Sequence, residues 1–209
     1  MLKTSAYHRP NPSLFFYPGL NTQPFFNPQD FSFVKDFESN LEVIQKEYKQ
    51  LRKAYGDNRD DYAKMKNEHT LNKGEWKWMN YIEKGKRTNT QLFREQCPTT
   101  VQLLEQSVGS QLMTGTPFSY TFFSTMSPEA SISPHYGACN LKLRCHFPLF
   151  VPEESFLRVA GDPRPWQTGK MIIFDDSFEH EAANLNKQEE RAILLIDIWH
   201  PELVPAEII

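Results

Sequence analysis

The chain has 209 residues, of which 39% are hydrophobic and 23% charged, and its formal net charge is −3. This composition is typical of a folded globular protein, and the length suits one domain better than two. The small negative charge gives no reason to expect a nucleic-acid backbone or an anionic membrane surface as partner.

The N-terminal residues contain no apolar run of the signal-peptide type, and no stretch approaches the roughly 20 apolar residues that span a bilayer. The cysteines are odd in number and form no CxxC pair, which favours a reduced environment. They are Cys97, Cys139 and Cys145. We therefore predict a cytoplasmic protein without stable membrane insertion.

The first half of the chain has helical character after an irregular start. Residues 1–30 carry five prolines, which predict an extended lead-in. From Asp36 to Tyr55, apolar residues recur at steps of three and four, which predicts an amphipathic helix that ends at Gly56.

Residues 57–98 are polar, and we interpret them as loops with short helical pieces. A second short helix is expected at Thr99–Gln106. The helical part of the chain therefore covers about residues 31–110.

The second half of the chain changes to a period of two, with turn residues between the segments. Strands are predicted at residues 118–124, 139–151, 168–175 and 191–199. Strands at this spacing without interleaved helices indicate an antiparallel barrel or sandwich. We place this core at about 115–203, within a single domain of 31–209.

The strand after Cys139 alternates between two kinds of side chain. Its apolar face contrasts with a polar face that carries Lys142, Arg144 and His146. The polar face would line a pocket or would face solvent, and alternation alone gives the two interpretations about equal weight.

Two histidines and one arginine stand at predicted strand ends: His135, His180 and Arg191. Two histidines 45 positions apart are more often incidental than metal ligands. An arginine at the mouth of a buried strand needs an anion, which is either a ligand carboxylate or a nearby Asp175 or Asp176.

Three segments together resemble the aspartyl/asparaginyl β-hydroxylase family. They are Ser133–Phe147, Gly169–Glu181 and Arg191–Leu203. The resemblance implies a mainly β protein with N-terminal helices around a double-stranded β-helix core of the jelly-roll or cupin type. It also implies an Fe(II)- and 2-oxoglutarate-dependent dioxygenase that uses O₂ as its other co-substrate.

The resemblance assigns the metal to two residues. His135 and His180 match the family's iron ligands, and Gly137 stands where many related oxygenases carry a third, carboxylate ligand. The hydroxylases of this family also have glycine there, which leaves the position to water. Asp176 is one of three acidic residues that would either fix a ligand imidazole or lie at the surface; the others are Asp175 and Glu181.

The resemblance assigns the co-substrate to four residues. Arg191 matches the arginine that pairs with the distal carboxylate of 2-oxoglutarate, and Ser124 matches a serine that assists it. Arg144 and His146 match residues beside the other end of the co-substrate and beside the substrate. We therefore count Arg144 with the two histidines as a candidate catalytic residue.

The substrate half of the resemblance is weaker than the catalytic half. The family's polypeptide hydroxylases have arginine where this chain has Lys142, which would alter recognition of a substrate carboxylate. Those enzymes have an aromatic-Gln-Gln stretch where this chain has Ile82-Glu83-Lys84. They also carry a pair of cysteines in the region where this chain has Cys97 alone. The leading hypothesis is hydroxylation of an Asp or Asn side chain in a peptide, or of an amino-acid-like small molecule. The alternatives are a lipid acyl-chain hydroxylase and a non-catalytic module that binds 2-oxoglutarate or metal.

Overall fold

The computed structural model describes residues 8–56, 60–62 and 71–204. Some expectations fall outside these residues: the extended start, two loop segments and the end of the domain, at 1–7, 57–59, 63–70 and 205–209. Within the described part of the chain, no helix has the length and apolar character needed to cross a membrane.

The described residues form twelve strands and four α-helices. The strands are β1 (Phe25–Phe26), β2 (Leu71–Lys73), β3 (Trp76–Glu83), β4 (Lys86–Arg87), β5 (Thr121–Met126), β6 (Ala130–His135), β7 (Lys142–Phe150), β8 (Ser155–Val159), β9 (Asp162–Pro165), β10 (Ile172–Phe174), β11 (His180–Asn184) and β12 (Arg191–Trp199). The helices are α1 (Phe33–Ser39), α2 (Leu41–Tyr55), α3 (Thr90–Gln96) and α4 (Pro98–Gln102), and a π-helical turn follows at Leu103–Val108.

Two antiparallel sheets contain all twelve strands. The major sheet has the order β1-β10-β7-β12-β5-β3-β4, and the minor sheet has the order β2-β6-β11-β8-β9. Side chains from both sheets share one buried cluster, in which Met126 and Phe174 of the major sheet meet Ile132 and Leu157 of the minor sheet. The two sheets therefore face each other as a double-stranded β-helix, and the predicted fold class is confirmed.

The helices cover the outer face of the major sheet. Phe37 of α1 packs edge-on against Phe147, with ring centroids 5.7 Å apart, and Tyr48 of α2 packs on Phe123 at 5.4 Å. These contacts belong to the larger of the buried clusters, which also takes in the apolar side of β7. One side of the major sheet is thus filled by helices, so its other side is left to face the minor sheet.

The single helix expected from Asp36 to Tyr55 is in fact two helices. The chain becomes helical earlier, at Phe33, and breaks at Asn40, whose φ of −107° and ψ of 16° are not helical. The predicted end at Gly56 is confirmed, since its φ of +80° is open to glycine without strain.

The interpretation of residues 57–98 as loops and short helices is wrong for β3, an eight-residue strand of the major sheet. Both of its faces carry large or buried residues, including Trp76, Trp78 and Tyr81, so no polar alternation marks it. The predicted strands overlap the observed β5, β7, β10 and β12, and β12 matches its predicted bounds. The sequence did not predict the strands of the minor sheet, which are short.

Residues 8–24, here called the N-terminal strap, lie along the loop between β6 and β7. The backbone N–H of Ser13 donates to Gly137 O at 2.8 Å. The side chain of Asn140 accepts from Tyr17 N at 2.7 Å and donates to Tyr17 O at 2.8 Å. The strap therefore lies beside Gly137, two residues after His135.

Candidate functional site

The fold brings the two strand-end histidines together. His135 ends β6 and His180 begins β11, and the two residues are direct partners in the antiparallel pairing of these strands. Their ring centroids lie 4.1 Å apart. Two residues separated by 45 positions thus form one pair, as a shared site requires.

A backbone carbonyl holds each of these imidazoles. The Nδ1 of His135 lies 2.8 Å from Ser133 O, and the Nδ1 of His180 lies 2.9 Å from Phe178 O. A carbonyl oxygen only accepts, so each Nδ1 carries the proton and each Nε2 keeps its lone pair. Burial lowers the pKa of His135, and it lowers the pKa of His180 well below the ordinary value. Both rings are therefore neutral and can ligate a metal through Nε2.

Asp176 fills the space beside Gly137. A Cβ added at Gly137 would lie 2.4 Å from Oδ1 of Asp176, and the backbone N–H of Gly137 donates to Asp176 O at 2.6 Å. The side chain of Asp176 is fully buried, and the charged ends of Lys142 and Arg144 lie 3.1 and 3.3 Å from its carboxylate. In that part of the chain, no three His, Cys, Asp or Glu side chains are grouped to hold a metal.

Asp176 belongs to a buried cluster of four charges, which we call the charge cluster: Lys142, Arg144, Asp176 and Asp197. Lys142 Nζ lies 2.8 Å from Asp197 and 3.1 Å from Asp176. Arg144 donates twice to Asp197, at 2.8 and 3.0 Å, and its third nitrogen lies 3.3 Å from Asp176. Burial alone would raise the pKa of Asp176, but these two cations hold it below its ordinary value. Two positive and two negative charges therefore balance inside the protein.

The polar face of β7 points between the sheets, so the solvent-exposed interpretation of that face is wrong. Lys142, which stands where the family's polypeptide hydroxylases have arginine, belongs to the charge cluster. It is 3% exposed and has both aspartates as partners. Arg144 keeps 17% of its side chain exposed. It is therefore the cation of this pair that an entering molecule can reach.

Arg191 lies at the other end of the same face. The guanidinium is 1% exposed and contacts Ser124, donating to its carbonyl at 3.3 Å and to its hydroxyl at 3.2 Å. No described carboxylate pairs with Arg191, so the alternative of a salt bridge to Asp175 or Asp176 is wrong. The Nε of Arg191 has no hydrogen-bond partner among the described residues. Burial lowers its pKa to about 9. A buried cation with an unused donor fits an anionic ligand.

His146 lies on β7 between these two regions. The register pairs it with Leu195, which shares a face of β12 with Arg191, and it is 6% exposed. Burial, followed by the nearby Arg191, lowers its pKa well below the ordinary value. Its Nδ1 accepts a hydrogen bond from the indole N–H of Trp166 at 3.3 Å. The ring is therefore neutral and carries its proton on Nε2.

The six residues that the resemblance assigns to the metal and the co-substrate thus lie on strands whose polar side chains face the space between the sheets. His135 pairs with His180, Ser124 pairs with Arg191, and Arg144 and His146 line β7 between them. The idea that Asp175 or Glu181 fixes a ligand imidazole finds no contact, because backbone carbonyls hold both rings. Glu181 instead pairs with Arg158.

Sequence reasoning missed two contributors, Trp166 and Asp197. Asp197 could have been found, because an acidic residue in a strand buried on both faces requires a cation. Trp166 follows the turn-like Arg164-Pro165 and has no periodic context that would predict its position.

The fold and the site define a double-stranded β-helix protein with two neutral strand-end histidines and a buried arginine that has no carboxylate partner among the described residues. A model of the family described as aspartyl/asparaginyl beta-hydroxylase matches residues 38–201. The chain belongs to this family of hydroxylases.

Among its relatives is the aspartyl/asparaginyl beta-hydroxylase of Homo sapiens, 32% identical over 199 residues that cover 93% of this chain and 25% of that protein. Aspartate beta-hydroxylase domain-containing protein 2 of Rattus norvegicus is 31% identical over 94% of this chain and 56% of its own length. The chain thus spans about a quarter of the first relative and about half of the second. A solved prolyl-4-hydroxylase of Pseudomonas putida, with a TM-score of 0.39 and 14% identity over 87% of this chain and 92% of its own, is too distant to support a conclusion.

Proposed function

We propose that this protein is an Fe(II)- and 2-oxoglutarate-dependent hydroxylase that acts on an Asp or Asn side chain of a peptide, or on an amino-acid-like small molecule. The observation that carries the proposal is the set of side chains that the two sheets direct toward each other. It combines two neutral imidazoles 4.1 Å apart with a buried arginine that has no carboxylate partner in the described chain.

His135 and His180 would hold the metal through their Nε2 atoms, since each Nδ1 is committed to a backbone carbonyl. Fe(II), when bound, would supply the activation of O₂ that couples oxidation of a substrate C–H bond to decarboxylation of 2-oxoglutarate. The protein contributes position: both ligands sit on paired strands, and the Asp176 carboxylate lies beside them.

Arg191 and Ser124 would bind the distal carboxylate of 2-oxoglutarate. The guanidinium offers its free Nε–H, and the Ser124 hydroxyl is already within 3.2 Å of its terminal nitrogen. A carboxylate buried without such a partner would be strongly disfavoured, so the arginine selects a dianionic 2-oxoacid over a short one.

Arg144 would meet the polar end of the substrate. Lys142 is held by two aspartates and buried, which leaves Arg144 as the accessible cation of the charge cluster. An Asp or Asn side chain, or the carboxylate of a free amino acid, can accept from it. This agrees with the name of the human relative, which is a hydroxylase of aspartyl and asparaginyl residues.

The test is an anaerobic titration with Fe(II) and 2-oxoglutarate, in which a weak visible charge-transfer band reports the co-substrate bound to the metal. We expect the band in the wild-type protein and its loss in His135→Ala and in His180→Ala. Arg191→Met should weaken 2-oxoglutarate binding by about 10- to 150-fold, since hydrogen bonds to a charged group contribute about 1.5–3 kcal/mol.

Arg87→Met is the matched control, because Arg87 pairs with Glu105 and lies on the edge strand β4 of the major sheet. No band in the wild-type protein would overturn the proposal and favour a non-catalytic module. A band without succinate release on Asp- or Asn-containing peptides or amino acids would restrict the error to the substrate, and acyl substrates would be tested next.

A further inference from the structure

Trp166 contacts two side chains of the candidate site at once. It lies between β9 and β10 and is 5% exposed. Its ring centroid is 4.8 Å from the Cζ of Arg191, and its indole N–H donates to Nδ1 of His146 at 3.3 Å. Among the described residues, it is the side chain that links these two positions.

The first contact concerns a cation with few partners. Arg191 reaches Ser124 through one nitrogen, and no described carboxylate approaches it. The face of an indole attracts a guanidinium, and the attraction is strongest where water is excluded. Trp166 therefore stabilises the charge and orientation of Arg191 while leaving the planar edge of the guanidinium open to a ligand.

The second contact fixes a tautomer. An indole N–H donates and never accepts, so Nδ1 of His146 must carry the lone pair and Nε2 must carry the proton. The other face of His146 packs edge-on against Phe174, with ring centroids 5.0 Å apart, and Phe174 in turn packs against His180 at 5.5 Å. His146 is thus held as a neutral Nε2–H donor between two aromatic rings.

We propose that Trp166 is the positioning residue of the co-substrate site, holding Arg191 by its ring face and His146, in its Nε2–H form, by its indole N–H. The ligand of this site, 2-oxoglutarate, rests on the proposed function. The two contacts themselves do not, and each can be measured without turnover.

The first experiment reads the tautomer of His146 in the metal-free protein by long-range ¹H–¹⁵N correlation of the imidazole rings, assigned with His146→Gln. We expect an unprotonated Nδ1 and a protonated Nε2 in the wild type. In Trp166→Phe, which keeps a ring and loses the N–H, we expect a mixture of tautomers. A protonated Nδ1 in the wild type, or an unchanged pattern in Trp166→Phe, would overturn this half of the proposal.

The second experiment measures 2-oxoglutarate affinity in the same anaerobic titration. Trp166→Phe keeps an aromatic face, so its dissociation constant should stay within about 3-fold of the wild type. Trp166→Leu removes that face and should weaken binding by about 5- to 30-fold. Leu157→Ala, which opens a cavity in the same cluster without a contact to Arg191, is the control for lost packing.

The outcomes separate the two proposals. Equal weakening in Trp166→Leu and Leu157→Ala would reduce Trp166 to a packing residue and refute its role toward Arg191. Absence of 2-oxoglutarate binding in the wild type would refute the proposed function and the role toward Arg191 with it. The tautomer measurement would still decide the contact with His146.

Discussion

Gly137 is the position where a single added carbon should do the most damage. A Cβ built there lies 2.4, 2.5 and 2.7 Å from the Oδ1, Cγ and Oδ2 of Asp176, whereas ordinary contact begins near 3.4 Å. The overlap is therefore about 1 Å. The carboxylate cannot easily move away, because Lys142 and Arg144 hold it at 3.1 and 3.3 Å.

The two explanations of Gly137→Ala predict changes of opposite sign in the free energy of unfolding. The φ of Gly137 is not in the left-handed region, so without the overlap the substitution should stabilise the protein by about 0.4–1 kcal/mol. Overpacking of a filled interior instead destabilises by about 1–3 kcal/mol. We expect that loss in the free energy of unfolding, seen as a fall in Tm of about 2–4 °C per kcal/mol.

The assay is urea unfolding with a chelator present, so that metal binding does not contribute. In an Asp176→Ala background all three contacting atoms are gone, and Gly137→Ala should become neutral or stabilising, a coupling of about 1.5–4 kcal/mol. An Asp175→Ala background is the control and should leave the full loss in place. Additive effects of Gly137→Ala and Asp176→Ala would refute the steric explanation.

Three further predictions concern charge and chemistry. Lys142→Met leaves a buried aspartate without one of its cations and should lower the free energy of unfolding in urea by about 3–5 kcal/mol; a loss below about 1 kcal/mol would contradict the cluster. Below pH 6.5 the unfolded chain takes up protons that the folded chain excludes from four imidazoles, those of His135, His146, His180 and His200. Asp175 opposes this by retaining one proton in the folded state, because burial raises its pKa to about 7. Because four imidazoles favour the unfolded chain on acidification and one carboxyl favours the folded chain, stability should fall from pH 7.5 to 5.5 when it is measured by urea unfolding, and stability that is constant or rises on acidification would argue against it. The cysteines are buried with raised pKa values, so Ellman's reagent should label none of them before unfolding and all three in urea; rapid labelling of the native protein would be inconsistent with the fold.

The parts of the fold that the sequence predicts are those in which one face differs from the other. The helix stripe ending at Gly56 and the alternation around Arg144 follow directly from amphipathic patterns. The nine residues of β12 are predicted by the opposite pattern, because apolar residues on both faces of a strand indicate burial on both sides. Strand β3 is not predicted from the sequence, because tryptophans occupy positions at which a half-buried strand would have polar residues.

The site residues were named from a resemblance, whereas their environment required coordinates. No sequence pattern indicates that Asp176 occupies the room beside Gly137, since this depends on how two loops approach each other. The resemblance predicts that Lys142 alters recognition of a substrate carboxylate, whereas in the structure Asp176 and Asp197 are its partners. The surroundings of these side chains depend on partners from other strands, and the local periodicity of a segment carries no information about those partners.

The N-terminal strap also determines when the pocket can be completed during folding. Its bonds reach Asn140, 123 positions away, and Asn21 contacts Glu202 across 181 positions. Contacts of such sequence separation form only after the intervening chain has been made and ordered. The strap can therefore complete its contacts only after residues that follow the last strand are in place, although its bonds to Gly137 and Asn140 need only the chain up to the loop before β7.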